Sequence, residues 1–167
     1  MSGEERGEIT EPEGAAYHEA AHTVVYHHLG LRLKQVSIAC VESTQESRWT
    51  VEDQIMCHMA GRVMDDKLGR DPARSRTDWR QAYMMTGWLP EAKDAAAHDL
   101  IQRLYEKTKT IIEQPGNSAA IRALARKLID GGTLDGPEAE QLIEEARRNA
   151  KDGGNQNVCP ASPCARR

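Results

Sequence analysis

Apolar residues between Glu13 and Leu29 recur at Ala16, Ala20, Val24 and Leu29, a spacing that predicts one apolar stripe on a first helix. Pro12 suits its first turn and Gly30 stops it. From Leu31 to Cys40 the period changes. Leu31, Leu33, Val36, Ile38 and Cys40 alternate imperfectly with polar neighbours, as a strand or one arm of a hairpin does. This is the one strand the pattern predicts. The polar run ESTQESR then leads to a second helix, Val51 to Leu68, with Ile55, Met59, Val63 and Met64 facing inward and Gly69 and Pro72 ending it. A third helix spans Asp78 to Trp88, with Ser75 or Thr77 as N-cap and Gly87 and Pro90 closing it. A fourth fits Glu91 to Glu113, a fifth Ser118 to Asp130 before Gly131-Gly132, and a sixth Pro137 to Ala150. The expected fold is mainly α, a helical bundle of about six helices with a small strand or hairpin element. No apolar period marks the ends, so a flexible acidic N-terminus over 1–11, one domain over 12–150 and a disordered tail over 151–167 are expected.

Composition sharpens this. With aromatic content of 4% and no Phe, the core must come from Leu, Ile, Val, Met and Ala, which favours helix packed on helix. The 26 acidic and 22 basic residues give a net charge of -4 without a Lys/Arg stripe, which argues against nucleic acid as a partner. No run reaches the roughly 20 apolar residues needed to span a bilayer, and Met1 to Glu13 has no apolar export core, so a cytoplasmic location without a membrane segment is expected. In that setting Cys40, Cys57, Cys159 and Cys164 read as reduced thiols, the first two as small core residues. Trp49, Trp79 and Trp88 read as core or cleft wall.

The chemistry lies in the first helix. His18-Glu19-Ala20-Ala21-His22 sets two imidazoles one turn apart on one face, close enough for both to reach a single ion. Zinc takes imidazole nitrogen, and a catalytic site uses three protein ligands and leaves the fourth position for water. Glu19 stands beside the first imidazole, where a carboxylate can act as general base. The third ligand must come from elsewhere, and Asp53, His58, Asp65, Asp66, Asp78 and His98 are all open to the role. His27 and His28 lie too far along the helix and read as surface residues.

These residues resemble the peptidase domain of the FtsH family of zinc metalloproteases, in ordered blocks from about Ala15 to Ala150. Ala16-Tyr17-His18-Glu19-Ala20-Ala21-His22 is similar to the family's YHEAGH block. Asp53-Gln54-Ile55, Ala60-Gly61-Arg62 and Asp65-Asp66 are similar to its DQI and GGRxxEE segment. Thr77-Asp78 with Gln81-Ala82 resembles ASNDLxxAT, and Ala123-Leu124-Ala125, Leu128-Ile129, Thr133-Leu134 and Gly136 resemble the closing LAxxLLExETLxG segment. The resemblance implies a zinc-dependent metallopeptidase with one Zn2+ per chain held by His18, His22 and Asp78, and with Glu19 as base. It implies that Asp65 and Asp66, where the family has glutamates, support the ligands or the structure. It also implies an edge strand beside the metal at Val36, Ser37, Ile38 and Ala39, onto which an extended polypeptide substrate adds.

The departures carry expectations too. Ala21 replaces the family's glycine, and the segment from His22 to Asp53 is short, which suggests a trimmed loop over the cleft. No GxxxxGK(S/T) loop occurs, so ATPase activity would come from a separate partner, and the family likeness makes self-association into a ring conceivable. Without a motor, flexible or unfolded chains are the expected substrates. The alternative is a non-enzymatic peptidase-fold module that recognises a protein partner.

Overall fold

The computed structural model describes residues 10–43, 49–87 and 95–154. In chain order these form α1 (Glu11–His28), β1 (Leu33–Ser37), β2 (Val41–Ser43), α2 (Val51–Leu68), α3 (Arg76–Thr86), α4 (Ala95–Glu113), α5 (Pro115–Gly131), β3 (Thr133–Asp135) and α6 (Gly136–Gly154). The mainly helical fold expected from the periodicity is the one observed.

Helix α1 is the axis of the molecule. Its Pro12 sits in the first turn, and its small residues Ala16, Ala20 and Ala21 and branched Val24 and Val25 are wholly buried between α2 on one side and α5 on the other. Small side chains let these helices approach closely, while Ile55, Met59, Ile121, Leu124 and Ile143 fill the surrounding space. Each such side chain taken from water contributes about 1.5–3 kcal/mol. Ile55, Met59, Val63 and Met64 all face inward as the α2 pattern predicts. The start of α2 is fixed by a capping box in which Thr50 and Asp53 each satisfy the other's backbone N–H. Its end is fixed by Gly69 at φ 68°, a left-handed conformation that glycine adopts without strain.

The sheet is larger than the pattern predicts. It has three antiparallel strands in the order β2-β1-β3, with Val36 paired to Val41 on one side and to Leu134 on the other. Strands β2 and β3 are three residues each, too short for an alternation to declare itself. Two expectations change as a result. Strand β1 is the centre of the sheet, so the peptide-binding edge expected at Val36 to Ala39 is not an edge, and β2 holds that position. Ile38 and Ala39 lie in the turn after β1, where the Ser37 hydroxyl accepts from the N–H groups of Ala39 and Cys40. Cys40 is exposed in that turn, not a core residue, whereas Cys57 is buried.

Helix α5 begins three residues earlier than predicted, at Pro115, which needs no N–H partner in a first turn. Helix α6 continues through Lys151 to Gly154, four residues into the stretch expected to be a tail. Trp88 and the start of the predicted fourth helix, Glu91 to Asp94, lie outside the described residues, as do most of the N-terminus and positions 155–167 with Cys159 and Cys164. Among the described residues no helix is long and apolar enough to cross a membrane.

Candidate metal centre

The helical repeat brings His18 and His22 onto the face of α1 that meets α2, with ring centroids 4.8 Å apart. Helix α2 runs back along α1, so its late residues meet His18 and its early ones meet His22. His18 Nδ1 lies 2.9 Å from Asp65 Oδ2, and His22 Nδ1 donates to the Cys57 carbonyl at 2.7 Å. Gly61 lies between these two anchors. A Cβ there would collide with the His18 ring and with His22 Nε2, so only glycine allows α2 to lie this close to both imidazoles.

Anchoring both Nδ1 atoms turns both Nε2 atoms toward one point. They stand 3.1 Å apart, and Asp78 Oδ2, from the first turn of α3, lies 3.1 Å from His18 Nε2 and 3.8 Å from His22 Nε2. Since a carbonyl only accepts, the Cys57 contact makes His22 Nε2 a lone-pair donor in the neutral ring; the Asp65 contact does the same for His18. Three lone pairs therefore face one another. They repel unless a proton or a metal cation sits among them. Ligands about 2.1 Å from a tetrahedral zinc are about 3.4 Å apart, so this triangle and its nitrogen and oxygen donors fit that ion. The buried partners at both Nδ1 atoms are the supports such ligands need.

Charge follows the same logic. Burial alone would lower the His18 pKa, yet hydrogen bonds to Asp65 and Asp78 outweigh it and hold the ring up at about 9 in the metal-free chain. Burial also opposes ionisation of Asp78, but hydrogen bonds from His18 and His22 hold its carboxyl well below the usual range. For Glu19, burial raises the carboxyl and the two imidazoles offset it only in part. A carboxylate held above its ordinary range beside the donor triangle is suited to take up a proton.

The remaining candidates separate cleanly. Asp65 is wholly buried and shared between His18 and Arg70, whose Nη1 donates to it at 2.6 Å. Asp66 turns outward to Arg62 and to the Tyr105 hydroxyl, joining α2 to α4. Asp53 is occupied in the capping box, and His98 meets Tyr83 away from the site. His58 lies in the cleft but outside the donor triangle. Trp79 is packed under the Arg62 guanidinium and pins α3 to α2, while Trp49 lies against Tyr26 with ring centroids 5.4 Å apart. His27 is largely buried and His28 exposed, so the surface reading holds for the second alone.

Two supports were not visible in the pattern. Arg70 comes back to Asp65 because the left-handed Gly69 reverses the chain, and Gly14 leaves the space its guanidinium fills. A basic residue just past a helix-ending glycine and five after a buried acid was the available signal. Cys57 acts through its carbonyl, about which side-chain identity says nothing.

The site opens into a cleft of about 200 Å³ lined by His18, Glu19, His22, Tyr26, Ala39, Cys40, Val41, His58 and Asp78. A larger groove of about 510 Å³ lies at the opposite end, between the start of α5 and the end of α6, but holds none of these groups. Converging donors, not volume, single out the smaller one as the candidate site. No family model matches the chain, and no curated protein is significantly similar to it. The likeness to the FtsH family thus rests on the short motif blocks themselves.

Proposed function

We propose that the chain is a zinc-dependent metallopeptidase that hydrolyses peptide bonds in flexible or unfolded polypeptides. His18, His22 and Asp78 hold the ion and Glu19 is the general base. The observation that carries this reading is the triangle of His18 Nε2, His22 Nε2 and Asp78 Oδ2, with both other ring nitrogens tied to buried partners.

Bound there, zinc would supply a Lewis acid that acidifies a water molecule and polarises a peptide carbonyl. Glu19 takes the proton of the attacking water and delivers it to the departing amine, so the carboxylate is regenerated in each turnover. Asp65 and the Cys57 carbonyl keep both rings in the tautomer that presents Nε2. Arg70 neutralises the side of Asp65 that His18 does not use. Strand β2 has no described partner on its outer side, and the turn before it lines the cleft, so an extended substrate can add there by backbone hydrogen bonds. Only an extended segment can pair in this way. Folded proteins would first have to be opened by a separate ATPase partner or held by a ring of subunits. A cytoplasmic location is part of this reading; among the described residues no helix is long and apolar enough to cross a membrane.

Elemental analysis coupled to hydrolysis of unfolded casein tests this. Wild type should carry about one zinc per chain and cleave, and His18→Ala should lose both. Glu19→Gln should keep the zinc and lose about 10²–10⁴-fold in rate. Cleavage by Glu19→Gln at the wild-type rate, or a wild type that neither binds zinc nor cleaves, overturns the reading; partner binding indifferent to His22 and Glu19 would then favour the non-enzymatic module.

A further inference from the structure

Hydrolysis of a peptide bond needs more than a base. As the water oxygen bonds to the carbonyl carbon, the carbonyl oxygen gains negative charge, and a fixed hydrogen-bond donor aimed at it lowers the barrier. The side chains lining the cleft can be sorted by what each is free to donate. Glu19 and Asp78 are acceptors when ionised. His18 and His22 have both ring nitrogens committed, Nδ1 to Asp65 and to the Cys57 carbonyl and Nε2 to the common point. The Cys40 thiol is a weak donor and lies beside the Ser37 hydroxyl at 3.7 Å. Two true donors remain, the Tyr26 hydroxyl and the His58 imidazole.

Their helices distinguish them. Tyr26 follows Glu19 and His22 on the same face of α1, so it shares a wall with the base, and its ring leans on Trp49. His58 comes from α2, one turn before the Gly61 that touches both imidazoles, and lines the cleft from α2 whereas Glu19 lines it from α1. Water activated by Glu19 attacks from the α1 side, which leaves the carbonyl oxygen directed toward α2. His58 is half-buried and makes no hydrogen bond among the described residues, although an imidazole carries at least one N–H in either protonation state. It lines the same cleft as the donor triangle and the Ala39–Val41 segment that would hold the substrate backbone.

We infer that His58 is a further catalytic residue of this site, donating a hydrogen bond to the scissile carbonyl oxygen as it becomes an oxyanion. The inference rests on the peptidase reading. In the step, the water oxygen bonds to the carbonyl carbon, the proton passes through Glu19 to the amide nitrogen, and the carbon–nitrogen bond breaks; His58 keeps its proton throughout.

The test compares zinc-loaded wild type, His58→Ala, His58→Gln and Tyr26→Phe. It reads zinc content, kcat and KM on an unfolded casein peptide, and calorimetric affinity for a phosphonamidate peptide, whose tetrahedral anionic oxygen mimics the oxyanion. His58→Ala should keep about one zinc per chain and a KM within about threefold, while kcat and phosphonamidate affinity each fall about 10²–10³-fold. His58→Gln, which restores an N–H, should recover part of both. Loss of zinc in His58→Ala, an unchanged kcat, or a loss that appears in Tyr26→Phe instead overturns the inference and leaves the peptidase reading standing. A zinc-loaded wild type that cleaves nothing overturns the peptidase reading, and the role of His58 with it.

Discussion

Helix α1 carries two polar networks, and they end differently. Near its C-terminus His27 Nδ1 lies 3.1 Å from Arg147 Nη1, which also donates to Glu144 at 2.9 Å, while Arg147 Nε donates to Asn117 Oδ1 at 2.9 Å. One cation meets one carboxylate, an amide oxygen and a ring nitrogen. The group joins α1, α5 and α6 and is neutral as a whole. Two turns earlier on α1, Asp65 and Asp78 converge on His18, and Arg70 offsets only the first. The remaining carboxylate and two ring nitrogens face each other with no Lys or Arg among them, and without a metal ion a proton on His18 is what offsets them. The first network balances its charges and holds helices together, although Arg147 Nη2 stays buried without a hydrogen-bond partner among the described residues. The second gathers three donor atoms that, on the proposed reading, a metal ion would bridge. Buried polar clusters can look alike by residue type, and what separates these two is how far their own side chains neutralise the carboxylates.

The largest effect should come from adding one carbon to each network. Gly61→Ala drives a methyl into both imidazoles, because the obstacle is a pair of rings anchored at Nδ1 that cannot step aside. Zinc content should fall toward none and casein cleavage by about 100-fold or more, measured by elemental analysis and initial rates. Gly116→Ala places its Cβ 3.2 Å from the Arg147 Cγ, a flexible stem that yields by a few tenths of an ångström. Zinc and cleavage should stay at wild-type levels. Equal zinc loss in both variants would erase the distinction between the networks.

Next in size is the loss of one carboxylate from each. Asp65→Asn removes the charge that His18 and Arg70 share in a wholly buried place, so zinc affinity should drop about 10- to 100-fold and stability by about 3 kcal/mol. Glu144→Gln acts on a carboxylate that is 48% exposed. It should cost under about 1 kcal/mol and leave the metal untouched. Competition with a chromophoric chelator and urea unfolding give the two quantities. Zinc affinity unaltered in Asp65→Asn would show that Asp65 does not hold the His18 ring.

The sequence-level pattern served the two networks unequally for physical reasons. His18, Glu19 and His22 were legible because a helix fixes their spacing locally, and the helices were legible because their apolar periods are long. Gly61 was visible only as a motif letter; its contact with two rings depends on how α2 crosses α1, which no local period encodes. The sheet was half legible, since β1 is long enough to alternate and β3 depends on a partner about 100 residues away. Gly136 marks that partnership after the fact, because a Cβ there would strike the Leu33 carbonyl of β1. The network around Arg147 left no trace at all, as its members come from three helices with no shared spacing.

The smallest effect, and the finest test of the comparison, concerns protons at His27. Burial first, and then Arg147, lower its pKa from 6.5, while Glu144 and Glu140 work against them more weakly. The folded chain therefore resists a proton that the unfolded chain accepts at about 6.5. Below that pH the unfolded state binds more protons, so the stability tied to neutral His27 is present in full above about 6.5 and is lost as pH falls through the lower folded value. His27→Gln keeps an acceptor for Arg147 and removes the titration. Its urea midpoint should change less than that of wild type as pH falls below about 6.5, with zinc content at neutral pH unchanged. A network whose charges already balance is weakened by an added cation. If His27→Gln were as acid-sensitive as wild type, Arg147 and His27 would not be opposed in the way their 3.1 Å contact implies.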